Sequence, residues 1–93
     1  MKISEEKKEK ISEQILFILY TFSPKALFTY HIAREMARDE EFVKKLLLDL
    51  KEKNLVVEIK KNPKGKNYLK RSKWKLNDRV YSVYKNKQAP DHT

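Results

Sequence analysis

The stretch TYHIAREMARDEEFVKKLLLDLKEKNLV, residues 29–56, decides the fold. It reads as two helices joined by a very short turn and running straight into a strand. The first helix offers Ile32, Ala33 and Met36 as apolar contacts. The second offers Val43, Leu46, Leu47 and Leu50, a face at helical spacing. The turn between them is a few residues around Arg38 and Asp39. Amphipathic helices joined so tightly bury both faces at once only by crossing at a steep angle, which is helix-turn-helix geometry.

Local chemistry marks the ends of these elements. Thr29 is a natural N-cap for the first helix, about residues 30–37, and Asp39 for the second, about residues 40–53. Glu40 and Glu41 then occupy a first turn, where carboxylates favour the positive end of the helix dipole. Asn54 follows the last turn, at a place that needs a left-handed residue.

Upstream, Ser4 caps a helix running to about Tyr20 and ended by Ser23-Pro24. Ile11, Ile15, Ile18 and Phe22 share one face of it, and Leu16, Leu19 and Tyr20 widen the stripe. A helix apolar over so much of its girth is either deeply buried or shared with a second subunit. In so small a chain the shared reading is favoured, and it predicts a homodimer. Residues 25–28 suit a short bridge strand.

Downstream, residues 55–61 are a strand by composition, residues 62–67 have the punctuation of a loop, and residues 68–76 are a second strand. Together they predict a hairpin. Asn77 caps a last helix, about residues 78–87, with Val80, Tyr81, Val83 and Tyr84 as its apolar members. Residues 88–93 carry no pattern and are expected to be a disordered tail after a domain spanning residues 1–87. The fold class predicted is mainly α with a small β-hairpin.

Charge is unevenly spread. The net charge is +9, and residues 44–75 alone hold 12 basic and 3 acidic side chains. A contiguous basic segment of this kind suits a polyanion, most simply nucleic acid. The alternative is a generic soluble basic surface. There is no cysteine, which excludes disulfides and thiolate metal sites. With only two histidines as well, no metal is expected. No apolar run approaches the ~20 residues of a membrane span, and the charged start lacks a signal peptide's apolar region. An intracellular, nucleoid-associated protein with no membrane partner is expected. No glycine-rich phosphate loop or nucleophile–base set appears, so neither an enzyme nor a cofactor is expected.

Helix, bridge, helix-turn-helix, hairpin, helix is the order of a winged-helix domain, and the residues resemble that family in detail. Ile32-Ala33 opens its second helix and Met36 closes it, with Val43, Leu47 and Leu50 behind. Lys53-Asn54-Leu55-Val56 resembles the Lys-Gly-Leu-Ile approach to a first wing strand. Trp74-Lys75-Leu76-Asn77-Asp78 resembles the Tyr-x-Leu-Thr-x step into the last helix. The match spans about residues 11–84 and looks like the small MarR-like transcription regulators, of which one-domain forms are common in archaea and their viruses. The charge-rich composition is also one seen in thermophile proteins.

The resemblance implies double-stranded DNA binding by a dimer, sequence-specific or semi-specific, with the third helix in a major groove and the wing on the backbone or an adjacent minor groove. It places Glu40, Glu41, Phe42, Lys44, Lys45 and Leu48 on the exposed face of that helix. Lys44 and Lys45, together with Lys60, Lys61, Lys64, Lys66, Lys70 and Arg71 of the wing, become the DNA-binding candidates. Glu40 and Glu41 depart from the Ser, Thr, Arg or Gln usual there. They are candidates for base readout through a cytosine amino group, or simply stabilise the helix start. Leu16, Leu19, Tyr20, Tyr81 and Tyr84 are the candidate dimer interface; for the two last tyrosines the core is the alternative. Trp74 is expected in the core with a partner for its N–H, with stacking on a base as the alternative, and His31 at an ordinary surface position, with a phosphate contact as the alternative. Winged helices also dock proteins, so a protein-interaction module in a transcription, replication or membrane-remodelling complex is the alternative function.

Overall fold

Apolar periodicity and local caps divide the chain into four helices and three short strands. The computed structural model describes residues 4–60 and 71–88. In order the elements are α1 (Glu5–Phe22), β1 (Leu27–Phe28), α2 (Thr29–Met36), α3 (Glu40–Glu52), β2 (Val56–Ile59), β3 (Lys73–Leu76) and α4 (Asp78–Gln88). The strands form one antiparallel sheet in the order β1-β3-β2. This is the winged-helix fold, mainly helical with a small sheet.

The caps explain where the helices stop and start. Ser4 accepts a hydrogen bond from the Lys7 N–H, and Asp39 accepts one from the Phe42 N–H at 3.0 Å. Each satisfies a donor that the first helical turn leaves free. Ala37 and Asn54 are left-handed, with φ 53° and 60°. They close α2 and α3 in the same way. The Arg38 N–H donates to the Ala33 carbonyl and the Leu55 N–H to the Leu50 carbonyl, reversing the chain after each helix.

The core lies where α1, α2, α3 and the sheet meet. Ile15, Ile32, Val43, Leu47 and Trp74 are sealed from water, with Ile11, Leu46, Leu50, Val56 and Leu76 around them. Each such aliphatic side chain contributes about 1.5–3 kcal/mol on burial. β3 is the central strand, with Trp74 opposite Leu27 on one side and Glu58 on the other. Alternation along β3 sends Trp74 and Leu76 inward.

Several expectations need correction. Thr29 does not cap α2; it is the helix's first residue, buried, and its hydroxyl accepts the Trp74 Nε1–H at 2.8 Å. Leu16 and Leu19 are not a surface for a second subunit. They are 9% and 1% exposed because α1 packs on α2, α3 and β3 of its own chain. Phe22, assigned to the inner face, is 39% exposed, because α1 ends there and the chain turns away at Ser23. Phe42, placed on the outer face of α3, is half-buried against the core. Tyr20, Tyr81 and Tyr84 need no second subunit: Tyr20 lies 5.5 Å from Tyr81 and 5.6 Å from Tyr84 between ring centres, and all three stay half-buried, with surface left over for a second copy. Lys61, Lys64, Lys66 and Lys70, the loop of residues 62–67, the start of the second wing strand and the tail beyond residue 88 lie outside the described residues.

Candidate nucleic-acid interface

The helix-turn-helix leaves one side of α3 unused by the core. With Val43, Leu46, Leu47 and Leu50 turned inward, the 3.6-residue period leaves Glu40, Glu41, Lys44, Lys45 and Leu48 outward, all exposed. Among the described residues no ion pair engages Lys44 or Lys45. Next to this face, Arg71 and Ser72, which precede β3, line a cleft together with Glu40 and Lys44. Lys60 follows β2 and Arg71 precedes β3, both exposed at the feet of the wing. Four expected DNA-binding cations therefore stand on the described surface, Lys44 and Lys45 on the helix and Lys60 and Arg71 on the hairpin. Glu40 and Glu41 share the face, and neither is ion-paired among the described residues.

The hairpin is tied to α3 by one buried carboxylate. Glu58 on β2 accepts a hydrogen bond from Lys51 Nζ at 2.7 Å and another from Ser72 Oγ at 2.6 Å. Its side chain is 7% exposed. Burial pushes the Glu58 pKa up. The hydrogen bonds from Lys51 and Ser72 and the charges of Lys51 and Lys60 outweigh that and hold it below the ordinary carboxylate value. The clasp joins the end of α3 to both wing strands at their base.

A second feature of this side was not foreseen. Phe28, Tyr30 and His31 gather at the β1–α2 junction. The Phe28 and Tyr30 rings are 5.7 Å apart and 13° from parallel, and His31 lies 4.2 Å from Tyr30. Arg71 stands 5.2 Å and Arg34 6.0 Å from the Tyr30 ring centre, and Lys73 5.0 Å from that of Phe28. His31 is half-buried rather than an ordinary surface residue, and its Nδ1 is buried with no hydrogen-bond partner among the described residues. A small cleft between this cluster and the start of α3, bounded by Thr29, Tyr30, Glu40, Lys44, Arg71 and Ser72, has a volume of about 40 Å³. That is room for a water-sized group and not for a ring. The sequence signal was the run Phe28-Thr29-Tyr30-His31, three rings in four residues, with Arg34 one turn beyond Tyr30.

Elsewhere the described residues offer little chemistry. No group of three or more metal-ligating side chains occurs among them, and none of their helices is long and apolar enough to cross a membrane.

No protein-family model matches the sequence, and no curated protein matches it. Solved structures do. The fold superposes on S. aureus MepR in its DNA-binding conformation with a TM-score of 0.65 at 20% identity, covering 88% of this chain and 61% of that one. A Lactococcus lactis ZitR mutant in apo form matches with a TM-score of 0.61 at 18% identity, over 88% of this chain and 59% of that one. A mutant of S. aureus MepR bound to an oligodeoxyribonucleotide matches with a TM-score of 0.57 at 18% identity, over 89% and 68% of the two chains. The chain thus spans about three fifths of the length of the first MepR and of ZitR. At such identities the likeness is one of fold.

Proposed function

We propose that this chain is a MarR-like transcription regulator that binds double-stranded DNA as a homodimer, with α3 in the major groove and the wing on the backbone or adjacent minor groove. The observation that carries this is the exposed Lys44 and Lys45 on α3, free of ion pairs among the described residues, beside a hairpin whose feet are Lys60 and Arg71. Fold likeness to a MepR in DNA-binding conformation and to one bound to an oligodeoxyribonucleotide supports the reading. Lys61, Lys64, Lys66 and Lys70 extend the same positive charge along the hairpin sequence. Phosphate contacts of this kind release counterions, so affinity falls steeply with salt.

The test is a salt series of duplex binding by fluorescence anisotropy. Lys44→Glu with Lys45→Glu, and separately Lys64→Glu with Lys66→Glu, weaken binding on all sequences. For every phosphate no longer neutralised, the slope of log affinity against log salt falls by about 1. Unchanged affinity and slope in both double variants would overturn the assignment. Selection from a random duplex pool then yields a palindromic consensus if the dimer reads two half-sites.

A second reading is a protein-docking winged helix. Leu48, 40% exposed between Lys44 and Lys45 and beside Glu40 and Glu41, favours it. Absence of duplex binding at low salt, with stable capture of a protein partner, would select that reading.

A further inference from the structure

We propose that the Phe28–Tyr30–His31 cluster is a stacking platform for an unpaired nucleobase, so that the protein holds single-stranded nucleic acid at a site distinct from the outer face of α3. The site goes beyond duplex recognition and does not depend on it.

Three observations converge. First, Phe28 and Tyr30 are not part of the core, nor among the hydrophobic residues packed against it. Both rings are half-buried and keep surface in water. The two rings stack on each other, 5.7 Å apart and 13° from parallel, so Phe28 backs one face of Tyr30 and the platform is the Tyr30 ring. Second, the rings are flanked by cations. Arg71 and Arg34 approach Tyr30, and Lys73 approaches Phe28. No carboxylate of the described residues is ion-paired with Arg34 or Arg71. Third, the adjoining cleft of about 40 Å³ is too small to take a ring, so a planar ligand lies on the aromatic faces and not between the elements.

Aromatic faces ringed by guanidinium groups that no described carboxylate neutralises match one ligand chemistry: a base with its phosphates. The base stacks on Tyr30, and phosphates meet Arg34 and Arg71. Arg71 is exposed and lies over the Tyr30 ring, so base stacking there requires it to leave that face and turn to the phosphate. A base inside a duplex has both faces occupied by its neighbours. Only an unpaired base offers a free face, which is why the ligand is a single strand.

The experiment compares fluorescein-labelled dodecamers: thymidine, uridine, and an abasic oligomer carrying the same phosphates. Wild-type protein binds the thymidine or the uridine strand roughly tenfold or more tightly than the abasic one. Tyr30→Leu brings that ratio close to one, while Tyr30→Phe, which keeps the ring and removes the hydroxyl, preserves it. Equal affinity of the wild type for abasic and both base-bearing strands overturns the proposal. So does an equal loss in Tyr30→Phe and Tyr30→Leu, which would assign the effect to the hydroxyl. The wild-type comparison decides even if Tyr30→Leu fails to fold. The lysine reversals on α3 that test duplex binding leave the preference over the abasic strand in place, so the two readings fail separately.

Discussion

Thr29 and Trp74 show how much one hydrogen bond can organise. The indole N–H is buried without access to water, and the Thr29 hydroxyl is its acceptor. Thr29→Val keeps the shape and removes the acceptor, and it is expected to lower unfolding free energy by about 1–3 kcal/mol in a denaturant titration. Adding Trp74→Phe removes the stranded donor, so the double variant loses less than the two single losses combined. His31 is the converse case. Its Nδ1 is buried and has no partner among the described residues, so His31→Phe keeps a ring in the stack and drops the unsatisfied atom. It is expected to raise stability by roughly 1 kcal/mol. Glu58 sets an acid limit. Its folded pKa lies below the ordinary value of 4.5, so it binds protons less readily when folded. Its stabilisation is fully present above that value and is lost as pH falls through the folded pKa. Glu58→Gln should flatten this part of the acid limb, measured as midpoint against pH below about 5. The Thr29 partnership was not legible in the sequence. An N-cap is a local rule, whereas its true partner lies 45 residues away.

Among elements, α3 was the most readable and α1 the least. The ends of α3 are chemical: Asp39 at the start, left-handed Asn54 after the finish, and an inward face at strict helical period. Such features depend on near neighbours alone. The stripe on α1 reads as too wide for one core because the sequence does not say how many elements surround a helix. Here α2, α3 and β3 enclose Leu16 and Leu19, and α4 brings Tyr81 and Tyr84 over Tyr20. The aromatic cluster was hidden for a related reason, since it straddles a strand–helix boundary where neither a period of 2 nor of 3.6 applies. The turn between α2 and α3 carries its own prediction. Ala37 has φ 53°, a region that costs a side chain with a Cβ. Ala37→Gly is expected to stabilise the fold by about 1 kcal/mol, read from the thermal midpoint.

For the whole molecule, charge and topology separate two tasks. The core holds the helix-turn-helix rigid, while the residue 44–75 segment concentrates positive charge on α3 and the hairpin. Dimer formation is expected to show as twice the monomer mass by sedimentation at micromolar concentration. Since Leu16 and Leu19 are committed to the core, the apolar groups left on α1 for a second copy are those such as Phe17, 49% exposed. Phe17→Glu then reduces the mass to that of the monomer without lowering stability. The sheet order has one more outcome. The only tryptophan of the sequence stands in β3, opposite residue 27 on one side and residue 58 on the other. Its emission is therefore an intrinsic optical probe of the moment when the early, middle and late parts of the chain come together. If the molecule unfolds in one cooperative step, the red shift of that emission and the loss of helical circular dichroism trace the same curve.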